Sequence, residues 1–468
     1  MPEQPIKNIQ RPPGQPGQGQ GQPQQPQIRK LAGQPAPAGS STQQINMPWS
    51  PPSITTMEDT GLNMLNIADL VLKVLYLSGV LAGGDVADRI KLPYVGVVDS
   101  IIDFLKREKY VEVRGSGGFS EASFQYIITA KGAEKAREAL ERSQYAGAAP
   151  VTLDQYIASM KAQNRERLQV HETDLRQVLN HLVISEDLLA RVGPAINSGR
   201  SIFLYGPPGN GKTTVAEVIG RLILGDDLWI PYAIDVDGQV IRVFDDVNHE
   251  LSDKAAVRMA TGVVSDPRWV RIKRPMIMVG GELTLAGLDL VYDDTNKFYE
   301  APFQVKASGG MFLIDDFGRQ QVRPRDLLNR WIVPLEKGVD FLTLHTGRKI
   351  EIPFFVLIVF STNLDPRELV DEAFLRRIRH KIQITDPSYD EFREIFRRVA
   401  QAKRIPFDEQ VLAHLLKEWY INHDRPLRAV HPRDLLNQVI DIASYLNQPP
   451  SMTKELMDRA AAAYFVKL

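Results

Sequence analysis

Residues 206–213 read Gly206, Pro207, Pro208, Gly209, Asn210, Gly211, Lys212 and Thr213. Glycines at this spacing let main-chain N–H groups turn toward a phosphate chain, and a lysine and a hydroxyl follow where they can reach its outer oxygens and a divalent cation. Thr214 comes next, at the start of a segment whose Val215, Val218, Ile219 and Leu222 share one helical face. Ahead of the loop, Ile202 to Tyr205 form a short apolar run of strand type. A strand, a glycine loop and a helix amino terminus together make a nest for anions.

Three more groups of residues suit the same chemistry. Met311 to Ile314 are apolar and end in Asp315 and Asp316. Asp315 would hold the cation, and Asp316 would polarise an attacking water as general base; standing alone, the pair is a strand-end acidic turn. Phe354 to Phe360 lead into Ser361, Thr362 and Asn363. At the carboxyl edge of a buried parallel strand, Asn363 can donate to the water or to the terminal phosphate; alone it is a turn residue before Asp365-Pro366. Arg376, Arg377 and Arg379 cluster in 371–382, either complementing a helix dipole or reaching a neighbouring subunit's transition state.

The elements that position these groups fall in 198–386, an expected nucleotide-binding α/β domain. Residues 387–468 read as four helices separated by prolines, an expected lid. Residues 146–197 open on a Gly/Ala/Pro break and continue as an expected helical linker. Residues 56–145 show three helical segments and then a hairpin, which resembles a winged helix. Duplex DNA binding by that module is disfavoured: its third helix begins with Tyr94, Asp99, Ser100 and Asp103, and 56–145 holds 11 basic against 13 acidic residues. Docking to a protein is the better expectation. Residues 1–55 hold 12 of the 31 prolines and little that can form a core, so they are expected to be a disordered tail or a proline-rich ligand.

The composition removes other classes. The 56 Lys+Arg offset 57 Asp+Glu, so the chain is not a globally basic nucleic-acid binder. Without cysteine there is no disulfide framework, thiol nucleophile or thiolate metal site. No apolar run approaches the ~20 residues needed to span a bilayer, and no signal pattern opens the chain; membrane insertion is not expected and a cytoplasmic location is.

In order and spacing these motifs resemble the AAA+ ATPase family, over roughly Glu172 to Leu468. GPPGNGKT is similar to Walker A, MFLIDD to Walker B, and Asn363 to sensor 1. Arg376 and Arg377 match the arginine-finger position, and HPRDLLNQV at 431–439 resembles the sensor 2 helix, which implies that Arg433 touches the γ-phosphate. The resemblance implies an α/β fold with a five-stranded parallel sheet and helical lid, ATP with Mg2+, and a homo-oligomeric ring, usually a hexamer, with nucleotide at the subunit junctions. Two departures stand out. Asp316 replaces the usual glutamate, setting the carboxylate about one methylene further from the water. An insert at about 226–300, with strand-like pieces at Leu228–Ile234, Val240–Phe244 and Met276–Val279, lengthens the gap between the first two motifs.

A hairpin expected at 341–352, turning at His345-Thr346-Gly347-Arg348, sits just before the Asn363 strand. That layout looks like the branch of MoxR-type chaperones, MCM-type helicases and bacterial enhancer-binding activators. Phe298 and Tyr299 are either a substrate-gripping pair or buried strand residues. The implied function is ATP-driven remodelling of a protein partner. The alternatives are a DNA-associated motor or transcription regulator, and a nucleotide-dependent scaffold with little turnover.

Overall fold

The protein is described by a computed structural model covering residues 49–118, 120–164, 169–223, 227–252, 265–369 and 375–465, all within one compact unit. The expected tail over 1–55 lies outside the described residues up to 48. Its last seven residues are packed: the Trp49 ring meets Trp269 edge-on at 5.4 Å, Ile54 is buried, and Pro52 O accepts from Asp266 N. The proline count masked these two apolar anchors.

The main sheet has five parallel strands: β1 (Ile202–Tyr205), β2 (Met276–Val279), β3 (Met311–Ile314), β4 (Leu357–Thr362) and β5 (His380–Gln383), in the order β2-β3-β4-β1-β5. Both faces are covered, which explains the unbroken apolar runs. On one face Leu204, Leu313 and Val359 pack with Leu175, Val192 and Val218 of helices Glu172–Leu179, Glu186–Ser198 and Lys212–Ile223. On the other, Phe203, Phe312 and Phe360 meet Leu327, Leu328 and Trp331 of helix Pro324–Lys337. Successive residues alternate between the two clusters, as the pleat requires. The fold class is the expected one, a P-loop α/β sheet with a helical lid.

Two sequence assignments shift. Met276–Val279, read as part of the insert, is a strand of this sheet, pairing in register with Met311–Ile314. The expected linker is structured as well: Val151–Thr152 pairs parallel with Ala233–Val236. It thereby closes one edge of a second five-stranded sheet, which continues through Gln239–Arg242, Phe298–Glu300 and Val291–Asp293. Within the insert, 253–264 lie outside the described residues. The hairpin is present as Val339–Thr343 against Lys349–Pro353, with Leu342, Leu344, Ile350 and Ile352 buried beside Ile234 and Tyr299.

The amino-terminal module comprises helices Met64–Ser78, Gly83–Ile90 and Asp99–Arg107, an antiparallel sheet of Leu81–Ala82, Phe124–Ile128 and Val111–Ser116, and a further helix Ala130–Arg142 packed on the first. It is joined tightly to the insert. Arg268 is 0% exposed, pairs with Asp266 at 2.9 Å, and donates to Thr60 O and Pro150 O, each at 2.9 Å. Lys297 Nζ reaches Glu141 O at 2.7 Å.

The lid contains helices Tyr389–Ala402, Glu409–Leu415, His431–Tyr445 and Lys454–Tyr464, around Phe392, Phe396, Leu436 and Met457. A reciprocal Ser388–Glu391 capping box starts its first helix. Among the described residues no helix is long and apolar enough to cross a membrane.

Candidate nucleotide-binding site

At the carboxyl end of β1 the chain turns through Gly206 (φ 138°), Gly209 (φ 80°) and Gly211 (φ 84°) before entering its helix at Lys212. Glycine is required at the first of these, because a Cβ there would lie 2.1 Å from Ile384 O. Pro207 and Pro208 stiffen the turn, and Val215 N closes the first helical turn on Gly211 O. Lys212 is 7% exposed and donates to Gly206 O at 3.0 Å and Pro207 O at 2.9 Å. Burial lowers its pKa, and the carboxylates of Asp315 and Asp316 oppose that shift. The ammonium is thus held at the mouth of the loop by weak acceptors that a phosphate oxygen can replace.

Thr213 Oγ1 donates to Asp315 Oδ2 at 2.9 Å. A hydroxyl and a carboxylate from separate elements side by side form the start of the oxygen donor set that Mg2+ takes, so the residues present fit that ion.

Asp315 N is fixed to Val279 O at 2.8 Å, so the edge strand that the sequence reading placed in the insert positions this carboxylate. Asp316 follows at φ 47° and accepts at Oδ1 from Asn363 Nδ2 at 3.1 Å. The turn beneath is held by Phe317 N to Ser361 O and by Thr362 Oγ1 to Phe317 O, both 2.7 Å. Gln320, which no motif marked, donates to Asp315 O at 3.0 Å and to Asp316 O at 3.3 Å.

The lid meets the loop through contacts the sequence did not reveal. Asn210 Nδ2 donates to Asp386 Oδ1 at 2.6 Å, while Asn210 Oδ1 accepts from Ala429 N at 3.1 Å. Val430 N donates to Gly209 O at 2.8 Å. Arg428 pairs with Asp386, and its charge opposes that of Lys212.

Arg433, expected at the γ-phosphate, is instead paired with Asp434 at 3.0 Å, with a side chain 63% exposed. The structure brings Arg428 to the P-loop and leaves Arg433 on the lid surface.

Asp371 to Phe374, ahead of the arginine cluster, lie outside the described residues. Arg377 pairs with Glu336 at 2.5 Å, whereas Arg376 is exposed with no ion-pair partner among the described residues. Tyr299 is a buried strand residue at 1% exposure, and Phe298, beside it on the strand, is half-buried and packs edge-on against Tyr145 at 5.7 Å.

The fold and this edge define a P-loop α/β protein with a helical lid. Residues 388–463, the lid, match a family described as a domain of unknown function, DUF8689. No curated protein matches the chain. Among solved structures the chain is similar to NtrX from Brucella abortus, at 16% identity over 72% of this chain and 67% of that one, with a TM-score of 0.37. An NtrX structure in complex with ATP gives 14% identity, coverages of 67% and 65%, and a TM-score of 0.36. A RuvB variant from Thermotoga maritima gives 12% identity, coverages of 64% and 73%, and a TM-score of 0.33.

Proposed function

We propose that this protein is an AAA+ ATPase that couples ATP hydrolysis to remodelling of a protein partner. The observation that carries the reading is the convergence at one sheet edge of Lys212, the Thr213–Asp315 pair and the Asp316–Asn363 pair. Three strands and one helix deliver them, and no simpler turn role accounts for all five.

In this reading Lys212 exchanges its two carbonyl acceptors for phosphate oxygens, and the Gly206–Gly211 amides cradle the rest of the chain. Thr213 and Asp315 would hold Mg2+, which would supply charge neutralisation at the outer phosphates. Asp316 accepts a proton from the attacking water, while Asn363 holds that carboxylate in place. Arg428 answers the terminal phosphate from the lid. Of the two arginines at the finger position, Arg376 is the one that crosses to a neighbouring subunit in a ring, because Arg377 is paired with Glu336. The amino-terminal module faces the partner. Protein is favoured over DNA because the third helix opens on Asp99 and Asp103, and Asp103 already engages Lys106.

The scaffold reading draws its support from the shorter Asp316 side chain, and one assay separates the two. Phosphate release by the full chain with ATP and Mg2+ should exceed that of Lys212→Ala, and Asp316→Asn should fall about 100-fold or more, the scale of a lost general base. Equal rates for all three proteins would refute the enzyme.

A further inference from the structure

Burying an ammonium ion costs several kcal/mol in general unless an anion or a full set of acceptors compensates it. Among the described residues, buried Arg268 pairs with Asp266, and buried Lys306 with Asp245 and Glu300. Two buried lysines have main-chain carbonyls as acceptors and no ion pair: Lys212, at 7% exposure, and Lys73, at 8%. The first stands at the phosphate loop. The second has no anion assigned to it.

Lys73 lies on helix Met64–Ser78 and donates to Tyr145 O at 3.2 Å, which leaves two of its three N–H donors without an acceptor among the described residues. It lines a cavity of about 130 Å3 between the amino-terminal module and the insert sheet. Leu70 and Val240 supply apolar wall. Asp69, also on the wall, is neutralised by Arg142 at 2.7 Å, and Asp235 lines the far side. Burial lowers the Lys73 pKa to about 8, a shift that the Asp69 carboxylate opposes and the Arg142 guanidinium assists. The pocket is open to solvent on one side and its lining is half polar, and its volume of about 130 Å3 suits a guest of roughly six non-hydrogen atoms.

We infer that this cavity binds a small monocarboxylate with a short aliphatic chain, its carboxylate on Lys73 Nζ and its chain against Leu70 and Val240. A single charge is selected because the wall offers one ammonium without an ion pair, and Asp235 on the far side repels a second negative charge. The cavity shares no residue with the P-loop site, so the inference stands whether or not the protein hydrolyses ATP.

Reductive methylation of the full chain with formaldehyde and a borane, followed peptide by peptide in the mass spectrometer, provides the test. Butanoate should slow labelling of Lys73 about threefold once it exceeds its dissociation constant about twofold, and leave exposed Lys109 unchanged. Butanol and inorganic phosphate should protect neither lysine. A second measurement uses Lys73→Met, which should abolish saturation transfer from protein to butanoate in NMR. Absence of protection, equal protection by butanol or phosphate, or saturation transfer that survives in the variant would each overturn the inference. The wild-type labelling decides the matter should the variant not fold.

Discussion

Asp316 adopts φ 47°, a left-handed conformation that aspartate tolerates better than most residues. That backbone aims its carboxylate at Asn363 instead of continuing along β3. Both residues were legible in the sequence because each ends an apolar strand. Gln320 and Arg428 were not. Gln320 is one polar residue in a polar turn, and Arg428 is a loop arginine whose meaning comes from a lid folded more than two hundred residues after the loop it touches. The two lid arginines separate cleanly in experiment. Titration with labelled ATP should show Arg428→Met weakening binding about tenfold or more, the worth of one charge-assisted hydrogen bond of ~1.5–3 kcal/mol. Arg433→Met should bind as wild type does, since that side chain is exposed on the lid surface, whereas Arg428 immediately precedes the Ala429 and Val430 amides that bond the loop. The opposite ranking would restore Arg433 to the role its motif implies.

At the scale of elements, β1, β3 and β4 announced themselves as apolar runs ended by polar residues of the site. β2 did not. Four residues between Pro275 and Gly280 resemble any strand of the insert, and only parallel pairing with β3 reveals where it belongs. Val151–Thr152 is too short for any periodicity to show. What joins these distant pieces is Arg268, which ties Asp266, Thr60 O and Pro150 O together in the interior. Arg268→Ala leaves the buried Asp266 carboxylate with only the main-chain N–H of residue 268 and deprives two carbonyls of their donor. Urea unfolding should therefore show a loss of ~3–5 kcal/mol, the cost of breaking a buried pair by removing one partner. A loss below about 1 kcal/mol, the scale of an exposed pair, would mean that the cluster is not structural.

The whole molecule is more integrated than its motifs suggested. The amino-terminal module is bound to the insert sheet, the buried face of the hairpin shares that sheet's core, and the lid grips the phosphate loop through Asn210, Gly209 and Asp386. The loop and the lid are thus in direct hydrogen-bonded contact. The proposed function rests on nucleotide binding at this loop. Equilibrium binding of labelled ATP to the full chain with Mg2+ tests that most directly. The account predicts saturable binding that Lys212→Ala weakens about 100-fold or more, since it deletes a buried charge-assisted contact and the ammonium that defines the pocket. Binding absent in the wild type, or undiminished in the variant, would contradict it.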